Sequence, residues 1–144
     1  MLTIKRLSSD EARILLAGAA VKAREQSVPQ VIAVTDESGH LIEFTRMDGG
    51  KVSSISIAID KAFTSAVARK GTHVYNELCQ SGKPTFGIHI TNGGHFSIIG
   101  GGLPVTVDGE IVGGIGVSSG TAEQDQQVAA AALEYFYAQT GYKA

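Results

Sequence analysis

The 144-residue chain holds one cysteine, three prolines, no tryptophan and 6% aromatic residues. Each scarcity closes off a class of protein. A single cysteine, Cys79, excludes an intramolecular disulfide framework, and within a helical segment it reads as a partly buried, inert thiol. Long apolar runs are absent: none approaches the roughly 20 residues that span a bilayer, and Lys5, Arg6, Asp10, Glu11 and Arg13 interrupt any N-terminal signal region. No membrane association is expected, and the chain reads as soluble and cytoplasmic. Charge of one sign is also missing. Twelve basic against 14 acidic residues leave a net charge of −2, and Lys61 is spaced from Arg69 and Lys70 by mostly apolar positions along one helix, so nothing draws the chain to nucleic acid. Histidine occurs four times, as His40, His73, His89 and His95, with no H-E-x-x-H or helical pair spacing, so no protein-only metal site is expected.

What is present suits one globular domain over residues 1–144: 43% hydrophobic and 18% charged residues, enough to bury a core without staples. Ser8 and Glu11 make a capping box, and Ala12, Leu15, Leu16, Ala19 and Ala23 follow at helical spacing until Pro29 closes the segment. Two β-rich runs, 31–35 and 41–46, flank the turn-forming Asp36-Glu37-Ser38-Gly39 and predict a hairpin. Residues 53–70 return to helical period, and Thr72 opens a shorter helix that Gly82 and Pro84 must end. "TFGIHI" alternates apolar Phe86, Ile88 and Ile90 and predicts a half-buried strand. Asn92-Gly93 then signals a reversal, so that "HFSII" returns as another strand. Asp108-Gly109, between "LPVTV" and "EIVGGIGV", is the dipeptide a two-residue hairpin turn prefers. Thr121 and Gln124 form a second capping box before an alanine-rich helix that Gly141 stops. Hairpins in place of repeated strand–helix–strand units imply an antiparallel sheet in an α+β domain.

The stretch from Gly100 to Gly120 contains eight of the 18 glycines. It is not a dinucleotide fingerprint: Gly114-Ile115-Gly116-Val117-Ser118-Ser119 puts serine where the third glycine belongs, and a hairpin precedes it instead of a parallel unit. Gly116-Val117-Ser118-Ser119-Gly120 matches a nucleophile elbow literally, yet no histidine follows Ser118 to complete a hydrolase triad. The glycines instead suit close approach of backbone to another helix, a subunit or a flat ligand.

Three stretches carry a family resemblance: "TDESGHLIEFTRMDGG", "SISIAIDKAFTSA" and "GGGLPVTVDGEIVGGIGVSSGTAEQDQQVAAAAL". With D-x-x-G-x-L, R-M-D-G, K-A-x-T and the G-G-I-G-V-S-S-G string in this order, the chain resembles the GlcG-like family. That family is also called the haem-degrading or haem-binding domain family, and it includes the C-terminal domain of PduO-type cobalamin adenosyltransferases. The resemblance implies a profilin-like fold, a five-stranded antiparallel sheet flanked by helices, and self-association into dimers or larger homo-oligomers. It implies haem as the cofactor and a small-ligand-binding role accessory to diol, glycerol or hydroxy-acid metabolism, more a binder than a classical enzyme. Two alternatives stand beside it: an enzyme acting on haem or on a small hydroxy-acid or carbonyl metabolite, and a structural partner of a metabolic complex. Haem ligation in the PduO-type domain is associated with a first-helix histidine, which has no counterpart here because residues 1–39 contain none.

The candidate binding residues for a small acidic or planar ligand follow. His95, set among glycines in "TNGGHFSIIGGG", is the first choice for a haem iron ligand and His73 the second, against the ordinary reading of each as a surface histidine. Arg46, with Met47 and Asp48, is suited to clamp a propionate or a small carboxylate; a turn in which Arg46 and Asp48 pair locally explains the same residues. Lys61, with Thr64 one turn on, would neutralise an acidic ligand or simply form the wet edge of its helix. Gly101, Gly102, Gly114 and Ser118 complete the set as positions where a ligand would approach the backbone.

Overall fold

In a computed structural model describing all 144 residues, the chain is an α+β domain whose elements run α1 (Ser9–Glu25), β1 (Val31–Asp36), β2 (Leu41–Arg46), α2 (Ser54–Ala68), α3 (His73–Leu78), β3 (Gly102–Val107), β4 (Glu110–Ser118) and α4 (Ala122–Thr140). Both capping boxes form. Ser8 Oγ accepts from Glu11 N while Glu11 Oε2 accepts from Ser8 N, and Thr121 with Gln124 repeats the exchange at the start of α4. Asp108 and Gly109 have φ of +51° and +79°, the left-handed pair that a tight hairpin between β3 and β4 requires.

The sheet is antiparallel throughout, in the order β2-β1-β4-β3. It has four strands where five were expected. The segments read as strands, 86–90 and 95–99, form two single 3₁₀ turns (Ile88–Ile90 and Asn92–Gly94) and irregular backbone. Left-handed φ values at Gly87, Asn92, Gly93 and Gly94 break extended geometry four times in eight residues. Thr64 and Thr72 then tie the segment to the helices: Ser97 N donates to Thr64 Oγ1 (2.8 Å), and Thr72 Oγ1 donates to the Ile99 carbonyl (2.5 Å).

β1 is buried along its whole length because both faces of the sheet are covered. Its alternation sends Ile32 and Val34 toward α1 and α4, where they join Leu15, Val117, Val128 and Phe136 in the main core. Val31 and Ala33 point the other way, against Ala58 and Ala62 of α2. Fully buried side chains such as Leu15, Ile32 and Phe136 each contribute roughly 1.5–3 kcal/mol through removal from water.

Where α2 crosses β4 there is almost no side-chain layer. A Cβ on Gly116 would overlap the Ala58 carbonyl oxygen and the Ala62 amide, and one on Gly114 the Ala62 carbonyl. The glycines of β4 therefore let the backbone of a helix rest directly on the backbone of a strand, which is the first of the three roles open to them. No helix is long and apolar enough to cross a membrane.

Candidate functional site

Close packing of α2 against β4 fixes what the polar side chains of α2 can reach. Lys61, one residue before Ala62, points into the protein and is 1% exposed. It is not the wet edge of its helix: the small residues around it bring it under the β3–β4 backbone instead of to solvent. Its Nζ donates to the Val117 carbonyl (2.8 Å) and to Asp125 Oδ2 (3.0 Å), while Asp125 Oδ1 accepts from Gly120 N (3.0 Å). Burial pushes the Lys61 pKa below its ordinary value, opposed by the charge and hydrogen bond of Asp125. The pair bolts the first turn of α4 to α2 across the end of β4. Gly101 and Gly102 belong to the same junction. A Cβ on Gly101, whose φ is +122°, would meet the Val117 carbonyl at 2.6 Å and Lys61 Nζ at 2.9 Å; one on Gly102 would meet the Lys61 carbonyl. Ser118 is buried and donates to Ser54 Oγ (3.0 Å) at the start of α2. Lys61, Gly101 and Gly102 thus meet at one structural junction inside the domain, while Gly114 and Ser118 lie elsewhere along the α2–β4 contact.

The outward side of α2 carries a different group. Asp60 is one residue from Lys61 and so turns to the surface, where its Oδ1 lies 2.8 Å from His95 Nδ1. A carboxylate only accepts, so Nδ1 carries a proton, and in the neutral ring the lone pair is on Nε2. The His95 side chain is 65% exposed against 25% for Asp60, which leaves Nε2 facing outward. Thr64, one turn along, accepts from Ser97 N and donates to the Asp60 carbonyl (2.8 Å), fixing the backbone on which His95 sits. Gly94, beside His95, has open space where a Cβ would be. This is the geometry by which proteins orient a metal-binding imidazole: one nitrogen held by a carboxylate, the other free. His73 lies elsewhere, exposed at the start of α3 with Nδ1 3.3 Å from Gln126 Nε2, and lines a shallow cleft with Asn76, Glu123 and Gln126.

Arg46, Met47 and Asp48 lie at the far end of β2, lining a surface cavity of about 640 Å³ with the end of α1. Their chain reversal is closed by the backbone alone, Gly50 N donating to the Met47 carbonyl at 2.8 Å. The local Arg46–Asp48 pair that would explain both residues does not form.

Two groups escaped the sequence reading. Asp60 lies in the same helix as Lys61, and nothing in its spacing from His95, 35 residues away, signals a pair. Cys79 is buried, as its type suggests, and its Sγ lies 3.0 Å from His89 Nδ1. No three histidine, cysteine, aspartate or glutamate side chains come together to hold a metal ion.

Comparison with known proteins places this geometry among relatives. A family model described as haem degrading protein HbpS-like matches residues 7–134. An uncharacterized 15.0 kDa protein from the dhaT-dhaS intergenic region of Citrobacter freundii is 42% identical over 115 residues, covering 80% of this chain and 81% of that protein. The crystal structure of Klebsiella pneumoniae protein ORFY superposes with a TM-score of 0.93 at 36% identity, over 96% of this chain and 95% of that one. A crystal structure of a PduOC:haem complex superposes with a TM-score of 0.86 at 29% identity, over 90% of this chain and 94% of that one.

Proposed function

The chain belongs to the haem-degrading HbpS-like family, and from that premise we propose that it binds haem, with His95 as the residue that would hold the iron. The Asp60–His95 pair carries this reading: the 2.8 Å contact to Nδ1 holds the ring and sets its neutral tautomer, the way a carboxylate orients a metal-binding imidazole. Gly93 and Gly94 leave the approach to the ring uncrowded, and the resemblance to a protein crystallised with haem supports the same cofactor. Haem, when bound, would supply redox-active iron chemistry at this surface. The protein's part is to hold the imidazole, through Asp60, and to fix the backbone beneath it, through Thr64. The role is haem sequestration or sensing, accessory to small-molecule metabolism in the cytoplasm. We assign Phe86 and Ile90, 68% and 73% exposed in the segment that precedes His95, to contacts between copies of the chain in a homo-oligomer.

Titration with ferric haem, followed at the Soret band, tests the assignment. The expected outcome is a saturable Soret shift that His95→Ala abolishes and Asp60→Asn weakens, while His73→Ala and Met47→Leu leave it in place. A spectrum indifferent to His95, or one lost with His73 or Met47 instead, overturns it.

A further inference from the structure

The cavity between the end of α1 and the end of β2 has a volume of about 640 Å³, within the range typical of ligand clefts. Its polar lining is unspent. Arg24 and Arg46 reach it from two different elements, yet neither forms an ion pair or side-chain hydrogen bond within the chain. Acids are nearby in sequence for both: Glu25 pairs with Lys22 instead (3.5 Å), and Asp48 bonds to nothing. The contrast with Arg6 and Arg13, equally at the surface, is direct, because both of those find carboxylates. The walls are held independently of these side chains. Met47 N donates to the Gln30 carbonyl (3.0 Å), Val28 N to the Ala23 carbonyl (3.1 Å), and the turn after Arg46 packs on Pro29. Folding thus builds an apolar shelf from Ala23, Val28, Pro29 and Met47 and leaves two guanidinium groups beside it with no internal task.

We propose that this cavity is a binding site for an aliphatic monocarboxylate. Two arginines and Asp48 give it one net positive charge, which one carboxylate neutralises. The planar guanidinium fork matches a carboxylate through paired hydrogen bonds. The shelf takes the hydrocarbon body out of water. The site stands on α1 and β2, whereas His95 is held by α2, so the two binding functions are separate and neither reading depends on the other.

The test uses butyrate, with butyramide as its neutral isostere, on the full ¹⁵N-labelled chain. Butyrate is expected to produce saturable amide shifts confined to residues 23–29 and 45–49, and butyramide none. Arg24→Gln and Arg46→Gln should each weaken butyrate about tenfold, the loss of one charge-assisted interaction. Both side chains are unbonded, so these variants should keep the parent's unfolding midpoint and its Soret titration with haem. Equal shifts from butyrate and butyramide, or unchanged butyrate affinity in the Arg24→Gln/Arg46→Gln double variant, would overturn the proposal and leave the haem assignment untouched.

Discussion

On one face of the sheet, Leu15, Ile32, Ile115, Val128 and Phe136 interdigitate from two helices and two strands, in the ordinary manner of a side-chain core. On the other, Gly114 and Gly116 meet the backbone of Ala58 and Ala62 with nothing between. The first face holds by area removed from water and tolerates small rearrangement. The second holds by fit of main chain on main chain and has no room to relax. Because α2 lies so near the strand, alternate polar residues on it go to opposite destinies. Lys61 is driven into the interior, and Asp60 is left at the surface to orient His95. The tight face therefore positions the proposed iron ligand, whereas the loose face mainly stabilises.

Opposite substitutions should break the two faces. The largest effect is expected for Gly116→Val, whose branched Cβ must displace the α2 backbone. A loss of about 4 kcal/mol or more, a large share of the stability of a domain this size, should appear as a collapse of the urea midpoint or loss of soluble protein. A midpoint near the parent's would show that α2 lifts freely and that the comparison is mistaken. Next, Lys61→Met leaves the Asp125 carboxylate buried and unpaired, at a cost of about 3–5 kcal/mol. Lys61→Met/Asp125→Leu should recover much of it, and a double-mutant cycle in urea with purely additive costs would refute the pairing. On the other face the damaging direction reverses. Leu15→Ala should cost about 2–3 kcal/mol through the cavity it leaves, measured by the same unfolding experiment, with the Soret response to haem unchanged. A haem defect in Leu15→Ala would mean that the two faces are not separable in this way.

Much of the frame was legible from local chemistry. Ser8 with Glu11, Thr121 with Gln124, and Asp108-Gly109 each specify their own conformation within four residues, and each behaves in the fold as its sequence implies. The segment 86–99 misled because Phe86, Ile88 and Ile90 alternate as a strand does; the glycines and asparagine among them decide the backbone, and no neighbouring strand offers a ladder. The site was half legible. His95 stood out by its glycine surroundings, but its partner Asp60 lies 35 residues earlier and only the helix packing unites them. Lys61 looked like a solvated edge because helical spacing alone cannot register that the opposing residues, Gly101 and Gly102, have no side chains to keep it out. Arg46 and Asp48 were correctly seen as neighbours in a turn, but whether a turn uses its polar side chains is a matter of tertiary geometry.

The way the 81–99 segment is fastened has an evolutionary consequence. Hydroxyl groups of Thr64 and Thr72 grip it at Ser97 and Ile99, and no strand of the sheet shares a backbone ladder with it. Length changes and residue exchanges ahead of those two grips leave the hydrogen-bonding of β1 through β4 intact. Related chains are therefore free to rewrite this one stretch, and with it the surface shown to a guest or a neighbouring copy, while inheriting the rest of the domain unaltered.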